Sequence, residues 1–434
     1  MLLTLSGETM STTAIIAEFN PLHSGHQYII EQARSLTNAD CVVVVLSGSF
    51  TQRGDIAIAP KYVRAQAAIA CGADVVIELP FAYATASAEF FASGAVTLLD
   101  SLGSIDYLVF GAECDDIAML STAADILLEE PPAFKQTLTS CLSSGMSFPA
   151  ARARAFIDCG GTDGIFTPNN TLGIEYIKAL KRLSSHMVPV AVSRMGSGYN
   201  DTEYSAVKGF ISASAFRAAV ADMASDDRLY SFLDTTLPRP SRDALMSEYN
   251  KSFPVFNDDM SSLVRYALLT NRSRLESFCD FTPALANRVH RLLDKEGNAV
   301  FSGTYEDFIL KLKTRDITAA RIKRAMLHLL TGFTVDAGRL STDYLKSGRL
   351  PYARLLAISP AGRSYIAAIK KGCDTILINS LGRSMPLLDE NASSLIHFDI
   401  LASDIYASVA ADKFHHTMPD EYRAGVRRLN HFPA

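Results

Sequence analysis

Phe19-Asn20-Pro21-Leu22-His23-Ser24-Gly25-His26 decides how this chain is read. Before it, Thr13 to Glu18 is a short apolar, β-branched run; after it, a helical pattern extends from Gly25 to about Leu36. The stretch is therefore the loop between a strand and a helix, broken at Asn20-Pro21. A helix start offers unpaired backbone N–H groups and the positive end of the helix dipole, both suited to phosphate. His23 and His26, three apart and flanking Gly25, can donate hydrogen bonds to charge that builds on an α-phosphate and on a departing pyrophosphate oxygen. Gly25 lets a nucleotide approach the backbone. Such catalysis is electrostatic and needs no covalent intermediate. Two histidines at a helix start also serve as simple caps, and the string alone does not separate the two readings.

Working outward, Cys41 to Leu46 is a second strand, apolar on both faces as a strand inside a parallel sheet must be. The alternation continues with a helix from Pro60 to about Ala70, a strand Asp74 to Leu79 and a helix from Ala86 to about Leu102. A strand Asp106 to Phe110, a helix Asp116 to Leu128, a helix Asn170 to Leu183 and a fifth strand, Met187 to Ser193, complete it. This order predicts an α/β fold: a Rossmann-like, doubly wound, parallel five-stranded sheet with right-handed crossovers. Beyond about Arg217 the patterns are helical, including Asp258 to Leu269, Ala284 to Leu293, Thr318 to Leu330 and Gly362 to Lys371. Only Thr375 to Ile378 reads as an added strand.

The bulk composition limits the function classes. With 434 residues, 48% of them hydrophobic, the chain can build two or three cores without covalent staples. Its seven cysteines are scattered, odd in number and form no CxxC pair, which argues against a disulfide framework and a zinc ribbon. The N-terminus lacks a secretory pattern and no run of 18 or more apolar residues occurs, so a cytoplasmic protein with no membrane contact is expected. A net charge of −5 means that any RNA contact must come from a local basic surface.

The arrangement strand, Phe-x-Pro-x-His-x-Gly-His, helix resembles the HIGH-motif nucleotidyltransferase superfamily. Ile211-Ser212-Ala213-Ser214-Ala215-Phe216-Arg217 resembles its downstream Ile-Ser-x-Ser/Thr-x-x-Arg signature, where a helix start and a cation hold the triphosphate; an ordinary serine cap is the alternative. Ala17-Glu18 departs from the Gly-Gly or Gly-Ser pair of most cofactor adenylyltransferases. Further strings are Ile15 to Pro21, Leu46 to Gly54, Glu78-Leu79-Pro80, Phe110 to Glu113, Pro168 to Tyr176 and Arg194 to Tyr199. Together they are similar to the bacterial tRNA(Met) cytidine acetate ligase family, from about Thr13 to Arg217 and weakly through Ala402 to Tyr406.

That resemblance implies that ATP and acetate form acetyl-adenylate, whose acetyl group passes to the exocyclic amine of the wobble cytidine of elongator tRNA(Met), with Mg2+ accompanying the ATP. It implies a catalytic, ATP-binding domain over residues 1–220 and a mainly helical, tRNA-binding region over 221–434. His23 and His26 are the implied catalytic pair. The implied ATP contacts are Ile16, Ala17, Glu18, Phe19, Asn20, Pro21, His23, Gly25, His26, Ile29, Gly111, Asn169 and Arg194; no metal ligand is assigned. Gly111 would leave room for adenosine, or merely end a strand; Asn169 would donate to ribose or base, or cap a helix; Arg194 would meet a phosphate, or a surface carboxylate.

Ser47 to Gly54 is a polar loop suited to the acyl or cytidine pocket, or a plain connector. Asp55, Glu78, Glu89 and Glu113 are candidates for metal or base roles. Lys311-Leu312-Lys313-Thr314-Arg315, Arg321 to Arg324, Arg423, Arg427 and Arg428 are candidate RNA contacts, or solvated helix faces. Two other functions stay open: a small-molecule adenylyltransferase of cofactor synthesis, and a non-catalytic RNA-binding protein with a relic nucleotide fold.

Overall fold

The alternating side chains of Cys41–Ser47 point to two different cores. Val43 and Val45 join Leu98, Leu99 and Ile177 on one face, whereas Val42, Val44 and Leu46 join Ile30, Ala33, Ala68 and Ile69 on the other. Each buried valine contributes roughly 1.5–3 kcal/mol of transfer free energy. A strand needed by both faces takes a central place, and this one has it. The computed structural model describes residues 2–3, 9–193, 213–223, 226–370, 373 and 375–429.

Five parallel strands, β1 (Thr12–Ala17), β2 (Cys41–Ser47), β3 (Val75–Leu79), β4 (Tyr107–Ala112) and β5 (Val188–Ser193), lie in the order 3-2-1-4-5. Helices α1 (Ser24–Thr37), α2 (Lys61–Ala70), α3 (Ala88–Ser101), α4 (Ile117–Glu129) and α5 (Pro168–Leu183) cover the two faces. Strand order reverses at β1. A crevice therefore opens beyond the carboxyl ends of β1 and β4, where ligands of such sheets bind.

The sheet does not stop at five strands. β6 (Tyr352–Ile358) pairs antiparallel with β3, and β7 (Ile376–Ile378) and β8 (Arg427–Arg428) pair parallel with β6, giving an eight-stranded sheet. The sequence shows β7 but not β6, because Tyr352 to Ile358 is buried on both faces and a short apolar run of that kind has no period. Arg354 interrupts it and is nevertheless 3% exposed, paired with Glu78 and Glu421.

The rest of the second half is helical and includes α6 (Ala213–Ala221), α7 (Ala319–Thr331) and α8 (Glu390–Phe414). Its core is continuous with the first half: Phe50, Ile56 and Phe81 pack among Val255, Val289, Ile322 and Ala325. All seven cysteines are free thiols. Among the described residues no helix is long and apolar enough to cross a membrane.

Candidate active site

The segment leaving β1 is held in a constrained shape by distant side chains. Phe19 has φ +46 and the Asn20–Pro21 peptide is cis. A left-handed phenylalanine costs on the order of 1 kcal/mol, offset here by burial of its ring. The Asn20 carboxamide oxygen accepts from the Ile58 N–H at 2.7 Å, and the Asn20 carbonyl accepts from Arg217 of α6 at 3.1 Å. Below the segment lies Arg64 of α2, fully buried. Its guanidinium donates to the carbonyls of Glu18 at 2.6 Å, Ser47 at 3.0 Å, Ala59 at 3.0 Å and Gly48, tying the ends of β1 and β2 together.

His23 is the N-cap of α1: its Nδ1 accepts from the Gly25 N–H at 3.1 Å, while its own N–H donates to His26 Nδ1 at 3.3 Å. The rings stack with centroids 3.7 Å apart and planes 21° apart, and the edge of Phe19 meets His26 at 5.0 Å. Capping and catalysis are thus compatible. Each ring spends Nδ1 on the backbone, so the neutral imidazole carries its proton on Nε2 and is a donor there.

A cavity of about 630 Å³ occupies the crevice. Ile16, Ala17, Glu18, Phe19 and Asn20 line it from β1 and its loop, and His23, Gly25, His26 and Ile29 from the start of α1. Gly111 and Asn169 line the opposite wall. Pro21 does not line the cavity; it is the cis residue that turns the chain. Arg194 and Ser212 lie outside the described residues.

Gly111 sits inside β4, opposite Val192, rather than after the strand. Asn169 is in the first turn of α5, whose N-cap is Thr167, and its amide donates to Glu113 at 2.6 Å. Glu113 also accepts from the Thr167 hydroxyl at 2.6 Å and the Asn170 N–H at 3.0 Å, and Asn170 in turn caps the N–H groups of Glu113 and Cys114. Burial works to raise the Glu113 carboxyl, but these donors outweigh it and hold the group below its ordinary range. Its task is to anchor the first turn of α5 to the end of β4.

The third wall is the loop after β2, where Thr51, Gln52, Arg53 and Asp55 line the cavity beside Ala213, Ser214 and Arg217. Gly54, with φ +78, has the Arg324 backbone nitrogen 2.6 Å from where a Cβ would stand, so α7 presses directly on this loop. Asp55 accepts from Lys323 at 2.8 Å and Asn257 at 2.7 Å, and Arg217 stands 3.7 Å away. Burial favours a raised Asp55 carboxyl; the two cations and the amide reverse this and lower it. Glu18 differs: burial dominates and raises it, with Gln52 N–H donating to one oxygen at 2.7 Å.

Of the four acids singled out from sequence, only Asp55 reaches the cavity. Glu78 is buried beneath the sheet's end with Lys61 at 2.7 Å, and Glu89 pairs with Arg182 at 2.8 Å. Two cations of the basic run on α7 also face inward: Lys323 pairs with Asp55 and Glu306, and Arg324 with Asp280. Lys313, Arg315, Arg423, Arg427 and Arg428 remain exposed. Sequence reasoning missed Asn257 and the inward role of Lys323, because their partner Asp55 lies far along the chain, and Arg64, because its acceptors are backbone carbonyls that only the fold brings together. Among the described residues no three His, Cys, Asp or Glu side chains could hold a metal ion.

A 3-2-1-4-5 parallel sheet with a histidine-capped helix start over a cavity at its switch point defines a nucleotidyltransferase of the HIGH type. The model of the HIGH Nucleotidyl Transferase family matches residues 10–421. Within that group the chain belongs to the tRNA(Met) cytidine acetate ligase family. Relatives of that name from Acetivibrio thermocellus and Clostridium novyi are 34% and 35% identical over 408 and 368 residues; the matches cover 92% and 83% of this chain and 94% and 88% of theirs. Apo Thermotoga maritima TmcAL superposes with a TM-score of 0.86 at 28% identity, over 97% of this chain and 100% of that one. The same protein bound with alpha-thio ATP gives 0.84 at 27% identity, over the same shares.

Proposed function

We propose that this chain is an ATP-dependent tRNA(Met) cytidine acetate ligase. It joins acetate to ATP as acetyl-adenylate and passes the acetyl group to the exocyclic amine of the wobble cytidine of elongator tRNA(Met), in the cytoplasm. The observation that carries this reading is the stacked His23–His26 pair, with both Nδ1 atoms committed to the backbone, lining a cavity at the switch point of the sheet. Family membership directs the chemistry toward acetate and tRNA.

In this reading an acetate oxygen attacks the α-phosphorus and pyrophosphate departs. His23 and His26 donate from Nε2 to the charge that accumulates, and the N-terminus of α1 adds its dipole. Gly111 and Asn169 border the nucleoside, and Arg194 and Arg217 serve the phosphates. Magnesium bound with the ATP would supply neutralisation of charge on its phosphates. Exposed Lys313, Arg315, Arg423, Arg427 and Arg428 offer contacts to RNA phosphates. The cytidine leaves the anticodon stack to enter the cavity.

The test is to incubate the protein with ATP, labelled acetate and total bacterial tRNA, digest the RNA and look for labelled acetylcytidine. Acetate-dependent exchange of pyrophosphate into ATP reports the first half-reaction. Exchange that needs a phosphorylated cofactor precursor in place of acetate would turn the reading to a small-molecule adenylyltransferase.

A further inference from the structure

The amine of cytidine is a weak nucleophile because its lone pair is delocalised into the ring. Its attack on an acyl carbon needs a group to take the proton as the C–N bond forms, a contribution of typically 10²–10⁴-fold. Resting on the acetyl-transfer reading above, we infer that the Glu18 carboxylate is that base.

The cavity itself narrows the choice. Among the described residues, its lining contains two carboxylates, Glu18 and Asp55. Asp55 has one oxygen occupied by Lys323 and Asn257, and its other oxygen faces Arg217. These neighbours stabilise the charge and make it a poor proton acceptor. The two histidines accept backbone N–H groups at Nδ1 and therefore present N–H at Nε2, as donors rather than bases.

Glu18 has the opposite arrangement. Its Oε1 is fixed by the Gln52 N–H at 2.7 Å, and its Oε2 has no hydrogen-bond partner among the described residues. It stands at the carboxyl end of β1, on the segment that also places His23 and His26. The loop after β2 confronts it with Asp55, which raises its carboxyl, and with Arg53, which lowers it; α6 contributes Arg217, which also lowers it. Tyr176 of α5 and Arg64 of α2 are within electrostatic reach. Burial outweighs the cations and raises the carboxyl above its ordinary value, which makes it a stronger proton acceptor.

The step balances without a further reagent. The cytidine N4 lone pair forms the bond to the acetyl carbonyl carbon, and the bond from that carbon to the adenylate phosphate oxygen breaks. The electron pair leaves on AMP, and the N4 proton passes to Glu18 and then to solvent.

The experiment is single-turnover transfer from synthetic acetyl-adenylate to an elongator tRNA(Met) transcript, comparing wild type with Glu18→Gln and Glu18→Asp between about pH 5 and 9. Gln keeps an oxygen for the Gln52 N–H, so the loop stays anchored, and thermal melts check the fold. Wild-type transfer should rise with pH and level off once Glu18 is ionised. Glu18→Gln should be ~10²–10⁴-fold slower and lose that rise, and Glu18→Asp should regain part of both. A Glu18→Gln enzyme within about threefold of wild type, or one slowed with its pH profile intact, overturns the inference. A wild-type enzyme that leaves the tRNA unacetylated overturns the acetylation reading as well, so the two failures are told apart by the wild-type lane.

Discussion

Lys323, on a helix of the second half, donates to Asp55 at 2.8 Å, and Asp55 lines the cavity at the switch point of the sheet. The two residues are 268 positions apart and both side chains are mostly buried. Replacing Lys323 by Met strands a carboxylate that Asn257 and Arg217 still face. The loss should fall at the lower end of the ~3–5 kcal/mol typical of breaking a buried pair, measured by chemical denaturation.

The pair also sets an acid limit. The Asp55 carboxyl is lowered from its ordinary 3.8 in the folded protein, and that of Glu113 from 4.5. Both contributions are therefore complete above the unfolded values and disappear as pH falls through the folded ones. Stability should decline below about pH 4, and Lys323→Met should flatten the Asp55 part of that decline. A denaturation series against pH measures both.

In the proposed mechanism His26 has two duties, capping and catalysis, that substitution can separate. His26→Ala should cost about 1 kcal/mol through the lost helix cap and lower acetate-dependent pyrophosphate exchange by ~10²–10³-fold. His26→Gln restores a capping side chain at the same position and should recover the stability but not the rate. A Gln variant with normal exchange would remove the histidine from the chemistry.

Arg64 donates to four carbonyls from a site that is 1% exposed, and burial lowers its pKa to about 10. Arg64→Met leaves those acceptors without partners and should destabilise the protein by on the order of 4 kcal/mol. Arg64→Lys should recover little, because a single ammonium cannot reproduce the planar fork across both loops. Thermal and denaturant unfolding of the two variants checks this.

Glu113 organises the wall opposite the histidines. Glu113→Ala releases Thr167, Asn169 and Asn170 together and should raise the KM for ATP more than it lowers kcat, since it loosens a binding wall rather than the reacting end. Steady-state exchange kinetics at varied ATP gives the split.

The parts of the fold legible in sequence are those governed by local periodicity. β2 announces itself through six consecutive apolar residues, and α1 through the change of period after Gly25, to within a residue or two of the observed ends. β6 stayed hidden because Tyr352 to Ile358 has no period and carries Arg354, whose acceptability depends on Glu78 and Glu421 far away in sequence. The same limit governs the site. The loop from Glu18 to His26 is readable from its own residues. Glu113 looks like a free acid until the fold brings it to the start of α5, and Lys323 looks like a cation for RNA until the fold buries it against Asp55.

β6 has a bearing on how the polypeptide is made. The ribosome delivers β3 long before its antiparallel neighbour, so a nascent chain that has completed the five parallel strands carries an uncovered edge of Val75 to Leu79, all of them buried in the finished protein. Such edges recruit other strands. Messages interrupted ahead of Tyr352 should therefore yield fragments that depend on chaperones and clear poorly from the cell.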